Sequence, residues 1–114
     1  MKEKIIANGR PASSGIAKGT VKVVIKLEEL DKVQEGDILC VLSSNPTWTV
    51  GMLKSKALIS EIGGIVCHSA VVAREMGIPC VVAIPNVTKI LKDGQTIKVD
   101  GDKGIIYGYE WNNK

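Results

Sequence analysis

From Gly63 to Ile84 the chain reads GGIVCHSAVVAREMGIPCVVAI, and this stretch decides the fold. The residues from Cys67 to Met76 suit a helix, and Gly77 follows where a left-handed residue commonly ends one. Pro79 stops any continuation, and the apolar run Cys80–Ile84 has the composition of a buried strand. The stretch therefore predicts a glycine loop, a helix and a strand in succession.

Short apolar runs on both sides of this stretch are typical of further strands. The small and turn-forming residues between Gly9 and Gly19 predict an ordered loop, and the polar tail from Glu110 to Lys114 is expected to fray. Strands outnumber helices, which indicates one α/β domain spanning residues 1–114 with a compact, barrel-like or layered sheet. The other expected strands are Val21–Ile25, Ile38–Leu42, Ala57–Ser60, Thr96–Val99 and Ile105–Tyr107, and the short helices are Leu27–Val33, Thr47–Lys54 and Pro85–Leu91.

Composition and charge argue against nucleic-acid-binding, membrane and secreted proteins. The 114 residues are 45% apolar without any Phe, and the net charge of +3 is too small and scattered to indicate a nucleic-acid or membrane surface. No apolar stretch reaches the roughly 20 residues that span a bilayer, and the N-terminus lacks the apolar region of a signal peptide. We therefore expect a cytoplasmic protein. The three cysteines have neither disulfide nor metal spacing, and Cys40 and Cys80 are expected to be small buried hydrophobes.

His68 is the only histidine, and it stands at the start of the predicted helix. A helix N-terminus offers free N–H groups and the positive end of a dipole, which suit a phosphate on the adjacent imidazole. A neutral imidazole is nucleophilic near pH 7 and can carry a phosphoryl group. His68 is thus the candidate catalytic residue. The expected phosphate and loop support comprises Gly63, Gly64, Cys67, Ser69 and Arg74, although Arg74 lies about one and a half turns further along the helix.

Other interpretations of the same residues are open. A lone histidine near a helix start is often only a polar cap, and Gly63-Gly64 could be a simple turn. Cys67 as nucleophile with His68 as base is disfavoured, because neighbours on a helix point about 100° apart. No second histidine or acidic cluster completes a coordination shell, so no metal site is expected.

The segment from Gly63 to Val82 resembles the phosphohistidine signature of the PEP-utilising enzymes, which include phosphoenolpyruvate synthase, pyruvate phosphate dikinase, enzyme I of the sugar phosphotransferase system and rifampin phosphotransferase. The resemblance extends over most of the chain. Residues 9–19 are similar to the family's opening Gly-x-Pro-Ala-Ser-x-Gly loop, residues 100–104 to its closing turn, and Asn45-Pro46-Thr47-Trp48 to its Pro-Asp-Trp segment, with Thr47 in place of Asp.

This resemblance implies a β/β/α swivelling domain in which His68 is phosphorylated. It further implies that ATP and Mg²⁺ bind to an ATP-grasp partner protein or domain. A second partner protein or domain is expected to bind phosphoenolpyruvate and pyruvate, or another acceptor. This chain is expected to hold no cofactor itself. Many members have Thr two residues before the histidine, where this chain has Val66. Val66 has no hydroxyl, so regulatory phosphorylation at that position is not expected.

Three hypotheses follow. The first is a stand-alone phosphocarrier subunit, favoured by Met1, that forms one component of a phosphotransferase and is not complete alone. The second is the same domain cut from a larger enzyme. The third is a non-catalytic interaction or regulatory module that keeps the fold, against which the intact His68 and Gly63-Gly64 argue.

Overall fold

Short apolar runs form the parallel centre of the sheet. Strands β4 (Ile38–Val41), β5 (Ala57–Ser60) and β6 (Cys80–Val82) are buried along their whole length, as expected for parallel strands covered on both faces. The structure is a computed structural model that describes residues 2–44, 46–64 and 66–110. The remaining elements are strands β1 (Lys2–Asn8), β2 (Arg10–Ser13), β3 (Ile16–Val24), β7 (Thr96–Asp100) and β8 (Ile105–Glu110), helices α1 (Thr49–Met52), α2 (His68–Met76) and α3 (Val87–Ile90), and 3-10 helices at Leu27–Lys32 and Pro46–Trp48.

The strands form one sheet in the order β1-β8-β7-β3-β4-β5-β6-β2. Neighbours from β3 to β6 run parallel, whereas β1, β8, β7 and β3 pair antiparallel and β2 pairs antiparallel with β6. The two edge strands are consecutive in the chain and are separated only by Gly9, whose N–H donates to the Gly104 carbonyl at 2.8 Å. A single extended segment thus supplies both edges.

Two apolar cores lie on opposite faces of this sheet. On β5, Leu58 packs into one core and its neighbour Ile59 into the other, because successive side chains of a strand point to opposite faces. Helix α2 covers the first core with Ala70 and Ala73, both fully buried. Those small side chains let the helix pack closely against the sheet, which fixes the position of its first turn.

The expected α/β class and the principal elements agree with the structure, and Gly77 ends α2 with φ of 74°. The loop expected over residues 9–19 is wrong, because Arg10–Ser13 forms β2 and β3 already begins at Ile16. No helix in the described ranges is long and apolar enough to cross a membrane. Met1, Asn45, Ile65 and residues 111–114 of the expected frayed tail lie outside the described residues, while Glu110 ends β8.

Candidate functional site

His68 is the first residue of α2 and is half-buried. Cys67 precedes it as the N-cap in extended conformation, with φ of −72° and ψ of 167°, and its side chain makes no capping hydrogen bond. The first turn of an α-helix carries backbone N–H groups without intrahelical acceptors and the positive end of the helix dipole. The imidazole therefore lies at the end of the helix where an anion is stabilised.

Both ring nitrogens of His68 contact hydroxyl groups. Ser44 Oγ lies 3.2 Å from Nδ1, and Thr49 Oγ1 lies 3.4 Å from Nε2. Ser44 comes from the loop after β4, and Thr49 is the first residue of α1. Two segments that precede the helix in the chain thus hold the ring from opposite sides.

A second hydroxyl supports the contact to Nδ1. Ser69, the residue after His68, is only 2% exposed, and its Oγ lies 2.7 Å from Ser44 Oγ. A buried hydroxyl requires a hydrogen-bond partner, and the pair satisfies this requirement. The Nδ1 edge of the ring therefore faces two hydrogen-bonded serines, of which Ser69 is buried.

A cavity of about 230 Å³ opens beside the ring. Its lining is neutral, with hydroxyl groups, one thiol and the imidazole as its polar side chains. Ser60 Oγ is turned toward the loop that follows β5, because it donates to the Ile62 carbonyl at 2.5 Å. The cavity is lined by Ser43, Ser44, Ser60, Ile62, Gly63, Cys67, His68 and Ser69.

Four of the residues singled out in the sequence, Gly63, Cys67, His68 and Ser69, come together in this lining. Arg74 has a different environment: its Nε donates at 2.8 Å to the Ala12 carbonyl, which ties α2 to β2. Gly64 is half-buried in the same loop as Gly63. Contact of any of these residues with a phosphate remains a prediction.

Sequence reasoning missed Ser44 and Thr49 as site residues. Ser44 falls between the expected strand Ile38–Leu42 and the expected helix Thr47–Lys54, and Thr49 lies inside that helix. The one signal in this region is the similarity of residues 45–48 to a family segment, which marks the region as part of the family pattern. Neither spacing nor composition connects these hydroxyls to a histidine 19 to 24 residues later.

The cysteines divide into two kinds. Cys40 and Cys80 are fully buried in strands, and burial raises the pKa of each thiol to about 12. Their expected role as small buried hydrophobes is thus confirmed. Cys67 is half-buried and lines the cavity. Within residues 2–44, 46–64 and 66–110 no group of three or more His, Cys, Asp or Glu side chains is placed to hold a metal ion.

Comparison with known proteins identifies relatives of the whole domain. The family model described as "PEP-utilising enzyme, mobile domain" matches residues 33–104. The chain is 42% identical over 104 residues to a probable phosphoenolpyruvate synthase of Methanothermobacter thermautotrophicus, and 43% identical over 98 residues to the rifampicin phosphotransferase of Bacillus subtilis. These alignments cover 91% and 86% of this chain but only 15% and 11% of the relatives, so the chain spans a small part of their length.

Solved structures agree on the fold. An NMR solution structure of Enzyme I matches with a TM-score of 0.62 and 28% identity, covering 73% of this chain and 34% of that one. The aconitase X of Thermococcus kodakaraensis matches with a TM-score of 0.69 at 22% identity, covering 96% of this chain and 100% of that one. The second likeness concerns the fold alone.

Proposed function

Because the chain belongs to the family of PEP-utilising enzyme mobile domains, we propose that it is the phosphoryl-carrying component of a phosphotransferase, with His68 as the carrier. The observation that supports this most directly is the position of the only histidine of the chain. It starts α2, borders a neutral cavity and has a hydroxyl at each ring nitrogen. A polar cap would not need this arrangement.

The chemistry is a pair of displacements at phosphorus. In the first, a ring nitrogen of His68 attacks the phosphoryl group of the donor, so that an N–P bond forms while the donor's P–O bond breaks and its electron pair leaves with the donor oxygen. In the second, an acceptor oxygen attacks the same phosphorus and the N–P bond breaks. The ring regains its electron pair, and the carrier is ready for another cycle.

The cavity suits a phosphoryl group on the ring. The lining holds no carboxylate that would repel a dianion, and its serine hydroxyls can donate to phosphoryl oxygens. The first turn of α2 adds N–H groups and the dipole. Together these features would stabilise the phosphorylated form without any basic side chain in the lining.

The arrangement favours Nε2 as the attacking atom. Nδ1 faces Ser44, which in turn contacts the buried Ser69, so this nitrogen is held by two linked hydroxyl groups. Nε2 faces Thr49, a half-buried residue, at the longer distance of 3.4 Å. The longer contact at Nε2 makes this nitrogen the easier one to free for attack on a donor.

The remaining parts of the reaction belong to partners. We propose that an ATP-grasp protein or domain supplies the phosphoryl group from ATP with Mg²⁺, that phosphoenolpyruvate is the alternative donor, and that a further protein or domain binds an acceptor such as pyruvate. The relatives support this division, because more than four-fifths of their length lies outside the part that this chain matches. The expected site of action is the cytoplasm, where these metabolites occur.

Labelling with radioactive phosphate tests the proposal. The chain is incubated with the nucleotide-binding part of the Methanothermobacter relative and, in separate reactions, with ATP labelled in the β- or in the γ-phosphate, so that label from whichever phosphorus the ring attacks is detected. Bound label is then tested for acid lability and alkali stability, the signature of phosphohistidine. We expect acid-labile label on the parent chain and none on His68→Ala. Thr96→Val, a change at an exposed position of β7 away from the cavity lining, serves as the folded control and should keep the label.

Two outcomes would contradict the proposal. One is label that persists on a His68→Ala chain whose circular dichroism matches the parent. The other is a parent chain that stays unlabelled although the nucleotide-binding part labels the mobile domain of its own enzyme.

A further inference from the structure

The hydroxyl of Thr49 has one proton and two candidate acceptors. Thr49 Oγ1 lies 2.8 Å from the Pro46 carbonyl, the usual length of an O–H···O hydrogen bond, and 3.4 Å from Nε2 of His68. The carbonyl therefore takes the proton. Toward the ring, Thr49 Oγ1 can then only accept, so this contact is a hydrogen bond when Nε2 carries the ring hydrogen.

The other edge of the ring must then complement this one. If a neutral imidazole carries its hydrogen on Nε2, its Nδ1 has only a lone pair and accepts from Ser44 at 3.2 Å. The single proton of Ser44 is thereby used, so Ser69 donates to Ser44 across 2.7 Å. The proton of Thr49 thus sets the direction of every hydrogen bond around the ring. On one side Ser69 donates to Ser44, which donates to Nδ1. On the other side Nε2 donates to Thr49, which donates to the Pro46 carbonyl.

This orientation opposes the proposed transfer. A nitrogen that bears a hydrogen in the neutral ring has no in-plane lone pair, so Nε2 cannot attack phosphorus in this state. Attack requires the other tautomer, in which Nδ1 carries the hydrogen and donates to Ser44. Reaching it means that the ring loses a proton from Nε2 to water, gains one at Nδ1 from water, and gives up the contact with Thr49.

We propose that Thr49 is a positioning residue that holds resting His68 in the Nε2–H tautomer and restrains phosphoryl transfer until the hydroxyl is displaced. The restraint on phosphoryl transfer rests on the proposed function, whereas the Nε2–H tautomer is a property of the unphosphorylated chain alone. In the reactive state the Nε2 lone pair forms the N–P bond, and the donor's leaving group departs with the electron pair that joined it to phosphorus. The Ser44 and Ser69 hydroxyls rotate, so that Ser44 accepts a hydrogen bond from Nδ1–H and donates its own to Ser69.

The tautomer is measured by ¹⁵N chemical shifts of the His68 ring in the full chain, at about pH 8.5, where an imidazole is neutral. We expect the parent to show a protonated Nε2 and an unprotonated Nδ1. Thr49→Val keeps the shape and removes the acceptor, so the ratio of the Nδ1–H to the Nε2–H tautomer should rise about two- to thirteen-fold, the range for one net hydrogen bond. Thr49→Ser retains the hydroxyl and should match the parent, as should Thr96→Val at an exposed position of β7.

The consequence for transfer is measured with phosphoramidate, a small donor that needs no partner protein. Its P–N bond breaks as the ring forms the new one, and ammonia leaves. We expect ³¹P NMR to show His68 phosphorylated faster in Thr49→Val than in the parent, by the factor by which the Nδ1–H population rises and at most about thirteen-fold.

Three results would overturn the assignment. They are a parent ring that already carries its hydrogen on Nδ1, a Thr49→Val ring with the parental ratio, and a Thr49→Val rate that falls although the ratio rises. Failure of the proposed function looks different. In that case the tautomer shifts as expected, while the nucleotide-binding partner never labels His68.

Discussion

The backbone N–H and the hydroxyl of Thr88 donate to the same carboxylate oxygen of Glu61, at 3.1 and 2.7 Å. Thr88 lies in the first turn of α3, whereas Glu61 directly follows β5 and begins the segment that leads to His68. A carboxylate at this position satisfies N–H groups that a helix leaves unpaired at its start. The contact therefore ties the loop before the candidate site to the opposite core.

A pH-dependent contribution to stability follows from this pair. Hydrogen bonds from the Thr88 side chain and backbone lower the pKa of the Glu61 carboxyl below its usual value of 4.5. A carboxyl whose pKa is lower in the folded state stabilises the protein fully above the unfolded pKa, and this stabilisation is lost as the pH falls through the folded pKa. Thr88→Val should raise the Glu61 pKa toward 4.5, as followed by ¹³C NMR of the carboxyl group.

Thr96→Val is the matched control, since Thr96 is exposed on β7 and contributes nothing to this carboxylate. Glu61→Gln should remove the corresponding part of the loss of stability that occurs as the pH falls below 4.5. An unchanged Glu61 titration in Thr88→Val would contradict the prediction.

The two glycines before the helix are predicted to differ in their tolerance of a side chain. Gly63 has φ of 137°, and a β-carbon on it would lie 2.8 Å from Cys67 Sγ, whereas a β-carbon on Gly64 meets nothing within 4 Å. Gly63→Ala should therefore lower the free energy of unfolding by roughly 1–3 kcal/mol. Gly64→Ala should change it by less than about 0.5 kcal/mol. Urea denaturation of both variants gives the comparison, and equal losses would refute it.

The thiols are predicted to react at very different rates. A thiolate is the reactive form, and burial holds the pKa of Cys40 and Cys80 near 12. Cys67 lines the open cavity. At pH 8, iodoacetamide should thus modify Cys67 at least ten times faster than either buried thiol, as measured by peptide mass spectrometry.

Alkylation of Cys67 should also slow phosphorylation of His68, because the added group would occupy the cavity beside the ring. Cys67→Ser provides the control: it removes the reactive thiol, so iodoacetamide should no longer affect the rate. Comparable labelling of all three cysteines in the folded chain would show that the cavity is not the accessible site.

Local sequence signals were sufficient for helix α2 and for its end at Gly77, because small residues, a C-terminal glycine and Pro79 act within one segment. They failed at Arg10–Ser13. That strand contains Pro11 and turn-forming neighbours, and its order comes from pairing with the distant β6. Backbone pairing between remote segments leaves no periodic pattern in such a short edge strand.

The residues of the candidate site likewise divide into those that could be predicted from one contiguous segment and those that could not. His68 and Ser69 were recognisable because the loop and the helix that present them are contiguous in the chain. The contacts of Ser44 and Thr49 depend on where β4 ends and how α1 turns back toward the helix. Serine and threonine are common in turns for local reasons, so their composition alone does not distinguish a ring contact from a cap.

The segment joined at Gly9 also constrains the order in which the chain can fold. Asn8 pairs with Ile105 in β8, and Arg10 pairs with Val82 in β6. Each edge strand can therefore pair only with a strand that lies far along the polypeptide. Contacts between remote residues incur the loop-closure entropy before they contribute any stabilisation, which slows their formation. During synthesis the first strands would thus remain unpaired until almost the whole domain had left the ribosome. An early edge without a partner is exposed to pairing with another chain, which makes the opening residues the part most prone to misassembly.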